Sequence, residues 1–233
     1  DPDTVAENSP KGTEVGTLTT TDPDDVVVVV RPPLPESLQE GLVSYYPFDG
    51  NAKDESGNEN HGEEFDVRYS PDKFGQPSHA IEALNAFSHV RVANSKSLQI
   101  DGQISLTAWA YTEEVTDLGG DIAIKGIYGS HWDYGIVYSG KSLSYSDTGG
   151  DAGVYFSSFG KWHFMAVTLD ETKNQLRFYI DSENISDVQV TEGTFPINNV
   201  GGVLRTSNAD LLILNDRTFN RSKSDPPRFK GAI

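Results

Sequence analysis

Residues 41–62 read GLVSYYPFDGNAKDESGNENHG. The run Leu42 to Phe48 is rich in apolar and aromatic residues and predicts a strand. Asp49, Gly50 and Asn51 end it in a turn. A polar stretch follows in which side-chain oxygens recur every few residues around Gly57. Calcium takes about six to eight hard oxygens, partly from carbonyls that a bent loop can converge. Asp49, Asp54, Asn58 and Asn60 are therefore the candidate ligands of a calcium ion. The plain alternative is a polar turn without metal. An EF-hand does not fit, because the D-x-D-x-D-G spacing is absent and no helical pattern flanks the loop.

Beyond this stretch, short strand candidates recur at 79–84, 87–92, 104–112, 121–126, 134–139, 142–146, 152–156, 162–169, 175–181, 186–190, 203–206 and 210–214. Turn residues separate them. Leu176, Phe178 and Ile180 alternate on one face, as do Ile104, Leu106, Ala108 and Ala110. Many short strands with frequent turns predict an all-β, antiparallel two-sheet sandwich of the jelly-roll type. No repeat of 20–50 residues is present, which argues against a solenoid or propeller.

The 41–62 string resembles the opening of laminin-G-like (concanavalin A-like) jelly-roll domains. Further matching steps follow in order: Lys73-Phe74-Gly75-Gln76, the Val90–Leu98 strand and turn, and Ser105 to Trp109. Then come Trp162-His163 to Thr168, Phe178 to Asp181, and Phe229-Lys230-Gly231-Ala232-Ile233. The resemblance spans 41–233. It implies a structural calcium held by the 49–60 loop and by an Asp that follows F-x-G-x-I. The sequence stops at Ile233, so that Asp and the rest of the strand that F-x-G-x-I opens are not in it. Either the sequence is cut short there, or the final strand is supplied otherwise.

Residues 1–40 form a separate expected unit, an extended arm with a Pro-rich linker. Its segment VAENSPKGTEVGTLTTTDPDD resembles the start of a cadherin-type repeat over about the first 25 residues. That resemblance implies calcium ligation by Glu7, Asp22 and Asp24; the alternative is a tether whose acids are solvated. Val26 to Val30 is a stiff, strand-prone run that needs burial or pairing. It is a candidate donor strand, within the chain or between copies of it.

The chain has 233 residues, no cysteine, and 18 basic against 35 acidic residues, a formal charge of −17. Such a field repels phosphates and argues against nucleic-acid binding. No apolar run is long enough to span a membrane as a helix. The start at Asp1 without Met reads as a mature or excised piece. The acidic, cysteine-free composition suggests an extracellular, cell-surface protein, secreted and bacterial. In a eukaryotic source, Asn184-Ile185-Ser186 and Asn220-Arg221-Ser222 would be glycosylation sequons.

Catalytic patterns are missing: no E-x-D-x-x-E strand, G-x-S-x-G, H-E-x-x-H or P-loop occurs. Residues 127–135 gather aromatic and polar groups between two strand candidates. His131, Trp132, Asp133 and Tyr134 are the candidate ligand-binding residues there, offering stacking faces and hydrogen bonds to a glycan. Core capping is the alternative for Trp132 and Tyr134. Trp109 and Trp162 read as core, while Tyr45, Tyr46, Phe48, Phe87 and Phe178 read as core or strand-face residues. The expected function is a non-catalytic, calcium-stabilised recognition module for a glycan or cell-surface protein. The alternative is a filament subunit assembled by exchange of residues 26–30.

Overall fold

The structure is a computed structural model, and it describes residues 34–112, 120–127, 131–139, 142–147, 150–155, 160–173, 175–182, 193–195, 206–215 and 231–233. The chain divides into Asp1–Glu40 and Gly41–Ile233. Among the described residues of the first part, a short helix, α1 (Glu36–Gln39), follows Pro35. Proline's fixed φ suits a helix entrance. The Leu38 N–H donates to the Pro35 carbonyl, and Gln39 Nε2 donates to that of Leu34.

Gly41–Ile233 is a sandwich of two antiparallel sheets, as the alternating pattern predicts. The first sheet holds β1 (Gly62–Phe65), β4 (His89–Val92), β6 (Gly120–Ile127), β7 (His131–Ser139), β8 (Ser142–Asp147), β9 (Gly150–Tyr155) and β13 (Leu211–Asn215). Their spatial order is β1-β4-β13-β6-β7-β8-β9. The second sheet holds β2 (Val67–Ser70), β3 (Ala80–Ala83), β5 (Gln103–Thr112), β10 (Lys161–Asp170), β11 (Gln175–Ser182), β12 (Gly193–Phe195) and β14 (Gly231–Ala232). Their order is β12-β11-β10-β5-β14-β3-β2. Non-consecutive neighbours in both sheets mark a jelly-roll connectivity, in which each sheet takes strands from distant parts of the chain.

The core lies between the sheets. From the second sheet, β5 gives Ile104 and Ala110, β10 gives Met165, Val167 and Leu169, and β11 gives Leu176, Phe178 and Ile180. From the first sheet come Val90, Val92, Ile122, Tyr134, Ile136, Leu211 and Ile213. Register aligns Leu169 with Ile104 and Leu176, and Val167 with Leu106 and Phe178. Matched apolar rows of this kind fix the strand register, because a one-residue slip would turn every row outward.

Three expectations need correction. Leu42–Phe48 belongs to neither sheet. The Leu42 and Val43 carbonyls and the Tyr45 N–H pair instead with side chains of the following loop, and the Tyr45 carbonyl with the Glu55 N–H. Phe87 is 42% exposed, in a turn fixed by its own N–H to Asn85 Oδ1. Trp109 and Trp162 are absent from the core and lie on the opposite face of their strands. The strand candidate 186–190 and the run Val26–Val30 lie outside the described residues.

Candidate functional site

The 49–60 loop is organised around Asp54, which is buried. Its Oδ1 accepts from the N–H groups of Tyr45 (2.8 Å) and Ser56 (2.9 Å). Its Oδ2 accepts from the Ser56 hydroxyl (2.8 Å) and the Asn60 N–H (3.0 Å). Burial pushes the carboxyl's pKa upward, but these hydrogen bonds together outweigh burial and hold it below the ordinary value. The Asn60 amide nitrogen donates to the Val43 carbonyl and the Ser97 hydroxyl. Its side-chain oxygen accepts from Ser95 (2.6 Å) and Ser97 (3.2 Å). Asn58 sends its amide nitrogen to the carbonyls of Leu42 (2.9 Å) and Val43 (3.1 Å). The extended segment 42–45 is thus stapled down by the loop's side chains.

In the structure the protein's own groups engage this donor set. Four protein donors already engage the Asp54 oxygens, and two hydroxyls engage the Asn60 oxygen. A cation would have to displace them. The Asp49 carboxylate Oδ1 lies 3.3 Å from His79 Nε2. Among the described residues, no group of three or more His, Asp or Glu is placed to hold a metal. Glu7, Asp22 and Asp24 lie outside the described residues.

The second expected site also changes character. His131, Trp132, Asp133 and Tyr134 form the start of β7 and are not loop residues. His131 pairs with Ile127 and Trp132 with Gly126. The register then slips by one residue, leaving Asp133 as the extra residue of a bulge. A bulge re-aims the side chain it adds. Asp133 is 0% exposed, with Oδ2 2.8 Å from the ammonium of Lys125, which is also 0% exposed. Ser207 completes the group: its N–H (3.0 Å) and hydroxyl (2.7 Å) donate to Asp133 Oδ2. The ammonium of Lys125 donates to the Ser207 carbonyl at 2.8 Å. Tyr134 is also buried and donates its hydroxyl to the Leu98 carbonyl at 3.0 Å. Burial, then the neighbouring Asp133 charge, pushes that phenol's pKa up. Asp133 and Tyr134 therefore hold the first sheet to loops that cross it, and neither presents a surface to a ligand.

A different surface carries the aromatic groups. On the outer face of the second sheet, Trp109 of β5 stands opposite Phe164 of β10, and Tyr111 stands opposite Trp162. The ring pairs are tilted by 58° and 57°, with centroids 5.6 and 5.9 Å apart. All four residues are partly exposed. The next row aligns Thr107, Ala166 and Tyr179, and the row beyond it Ser105, Thr168 and Arg177. Glu82, two strands across from Tyr111, is engaged by Arg68. The signal for this face is visible in the sequence. If Ala108 and Ala110 face the core, then period-2 alternation sends Trp109 and Tyr111 the other way.

At the rim of this face, the β2–β3 hairpin presents Phe74, which is 73% exposed. Lys73 lies with its ammonium nitrogen 3.3 Å from the Trp109 ring centroid and 4.6 Å from that of Phe74. Taken together, flat rings, hydroxyls and basic groups suit a polar ligand with apolar faces. Stacking would use the rings, and hydrogen bonds would use the hydroxyls.

The comparisons agree with this architecture. Solved structures that resemble it include one of botulinum neurotoxin type C, described for cell entry dependent on two ganglioside molecules. It is 16% identical with a TM-score of 0.54, over 80% of this chain and 46% of that one. The binding domain of botulinum neurotoxin DC in complex with SialylT is 15% identical with a TM-score of 0.54, over 76% and 44%. A Trypanosoma rangeli sialidase in complex with 2,3-difluorosialic acid is 12% identical with a TM-score of 0.54, over 83% and 30%. The chain thus spans less than half the length of each, and at these identities the likeness is one of fold. No curated protein sequence matches. A laminin-G family model, described as the concanavalin A-like lectin/glucanases superfamily, matches residues 84–233. That match covers more than half of the chain, and the chain belongs to the concanavalin A-like lectin/glucanases superfamily.

Proposed function

We propose that Gly41–Ile233 is a non-catalytic, extracellular carbohydrate-binding module, and that it binds glycan on the outer face of its second sheet. The observation that carries this reading is the cross-strand set of partly exposed rings, Trp109–Phe164 and Tyr111–Trp162. Sugar rings have apolar C–H faces that lie against aromatic planes, while their hydroxyls seek hydrogen-bonding groups such as those of Ser105, Thr107 and Thr168. The likeness to proteins described with gangliosides, SialylT and sialic-acid analogues adds weight to a glycan as partner. One point supports a binding role over a catalytic one. The described outward side chains between Ser105 and Tyr111, and between Trp162 and Thr168, include no carboxylate or imidazole. The fold by itself hosts both roles. We propose further that the 49–60 loop is closed by its own hydrogen bonds rather than by calcium.

A glycan array probed with the purified chain tests the reading, followed by calorimetric titration of the best glycan. Binding that Trp162→Ala lowers at least tenfold is the expected result. Retained binding in a folded Trp162→Ala variant would move the site elsewhere, and an array with no binding would remove the glycan reading.

A further inference from the structure

The inference drawn here rests on the glycan reading and deepens it. We propose that Lys73 makes the aromatic face selective for sugars that carry a carboxylate.

Asp72 Oδ1 accepts from the N–H groups of Phe74 (2.8 Å) and Gln76 (2.9 Å). The Gly75 N–H donates to the Asp72 carbonyl, and the Asp72 N–H to that of Gln76. Gly75 has φ +79, a left-handed conformation that glycine adopts without strain. Four hydrogen bonds thus fix a loop whose apolar residue points outward. A loop built only to turn the chain has no need of an exposed phenyl ring at its tip.

Lys73 is held between that ring and Trp109. The negative faces of aromatic rings attract an ammonium and keep a flexible side chain in one place. The cation is thereby stationed beside the stacking surface. Trp109 and Tyr111 are two residues apart on one strand, about 7 Å along it. A sugar lying on Tyr111 and Trp162 would bring a ring substituent within reach of Lys73.

Charge decides which substituent that is. The chain carries a formal −17, so most of its surface repels anions. Lys73 sets a basic group at the edge of an aromatic platform. A carboxylate there would accept charge-assisted hydrogen bonds, about twice as strong as those of a neutral hydroxyl. Sialic acids and uronic acids share this chemistry, and their different shapes allow experiment to separate them.

The test is calorimetric titration of the full chain with 3′-sialyllactose, a hyaluronan tetrasaccharide, lactose and cellotetraose. At least one acidic sugar is expected to bind tenfold or more tightly than the neutral ones, and which one identifies the source. Lys73→Gln should bring the acidic sugar's affinity down to that of its neutral counterpart, and Lys73→Arg should restore most of it. Equal binding of acidic and neutral sugars, or an acidic preference that survives Lys73→Gln, would overturn the role of Lys73 and leave the glycan reading standing. Failure of all four sugars, together with an empty array, would overturn both. Unchanged thermal melting of Lys73→Gln would show that the comparison is between folded proteins.

Discussion

The ammonium nitrogen of Lys125 lies 2.8 Å from Oδ2 of Asp133, and neither side chain is exposed. Desolvating two charges is costly, and their attraction offsets this only when the remaining hydrogen bonds are made. Ser207 makes three of them, through its N–H and hydroxyl to Oδ2 of the carboxylate and its carbonyl to the ammonium. Removing one partner strands the other charge in the interior. Lys125→Met should therefore destabilise the sandwich by about 3–5 kcal/mol. The paired replacement Lys125→Met with Asp133→Leu should recover a large part of that loss. Urea unfolding of the three proteins measures both effects, and a double variant no better than the single would argue against a stranded charge.

Asp54 leads to a second prediction. Asp54→Ala removes an acceptor of four donors, and hydrogen bonds to a charged group contribute about 1.5–3 kcal/mol each. A loss of about 3 kcal/mol or more is expected, since some donors will find water. The pH dependence follows from the depressed carboxyl pKa of the folded state. Its stabilising contribution is fully present above the ordinary value of 3.8 and is lost as pH falls below that toward the folded value. Acid unfolding of wild type and Asp54→Asn should therefore converge at low pH. Because protein donors satisfy the loop, a chelator should leave the melting temperature of the wild type unchanged. A clear drop on chelation would reinstate calcium at this loop.

How far the sequence reveals this molecule depends on what each feature requires. Strands such as β5, β10 and β11 are legible because half their residues face a core and alternate. The short strands β1, Gly62–Phe65, and β2, Val67–Ser70, are not legible in the same way. Each lies at the edge of its sheet, and each mixes charged with apolar residues. The Leu42–Phe48 segment has a strand's composition, but side chains of Asp54, Asn58 and Asn60 engage the Tyr45 N–H and the Leu42 and Val43 carbonyls instead. The aromatic face is legible once alternation is applied to Trp109 and Tyr111 as well as to their apolar neighbours. The burial of Asp133 is not, because it depends on a bulge, on Lys125 across the hairpin, and on Ser207 more than 70 residues away.

Gly135 is set between these features and makes a steric prediction. It pairs with Ile124 across the β6–β7 ladder. A Cβ added to it would lie 2.9 Å from Ile124 Cγ1 and 3.1 Å from the Ala123 carbonyl oxygen. Backbone and a β-branched side chain both resist moving, so Gly135→Ala should cost about 1–3 kcal/mol despite adding only a methyl group. Denaturant titration checks this, and a neutral result would show that the ladder beside the bulge can shift to make room.

Tyr134 and Trp162 separate the two surfaces on which a ligand might be sought. Tyr134 is 2% exposed and spends its hydroxyl on the Leu98 carbonyl. Tyr134→Phe should reduce stability by about 1 kcal/mol, somewhat more if that carbonyl finds no water. It should leave glycan affinity unchanged, because the hydroxyl faces the interior. Trp162 stands on the opposite sheet's outer face against Tyr111, outside the core cluster. Trp162→Ala should lower affinity at least tenfold while unfolding at a denaturant concentration close to wild type. The two variants thus predict opposite pairs of outcomes in the same two assays. Loss of binding in Tyr134→Phe with retention in Trp162→Ala would return the site to the β7 segment and require that segment to open.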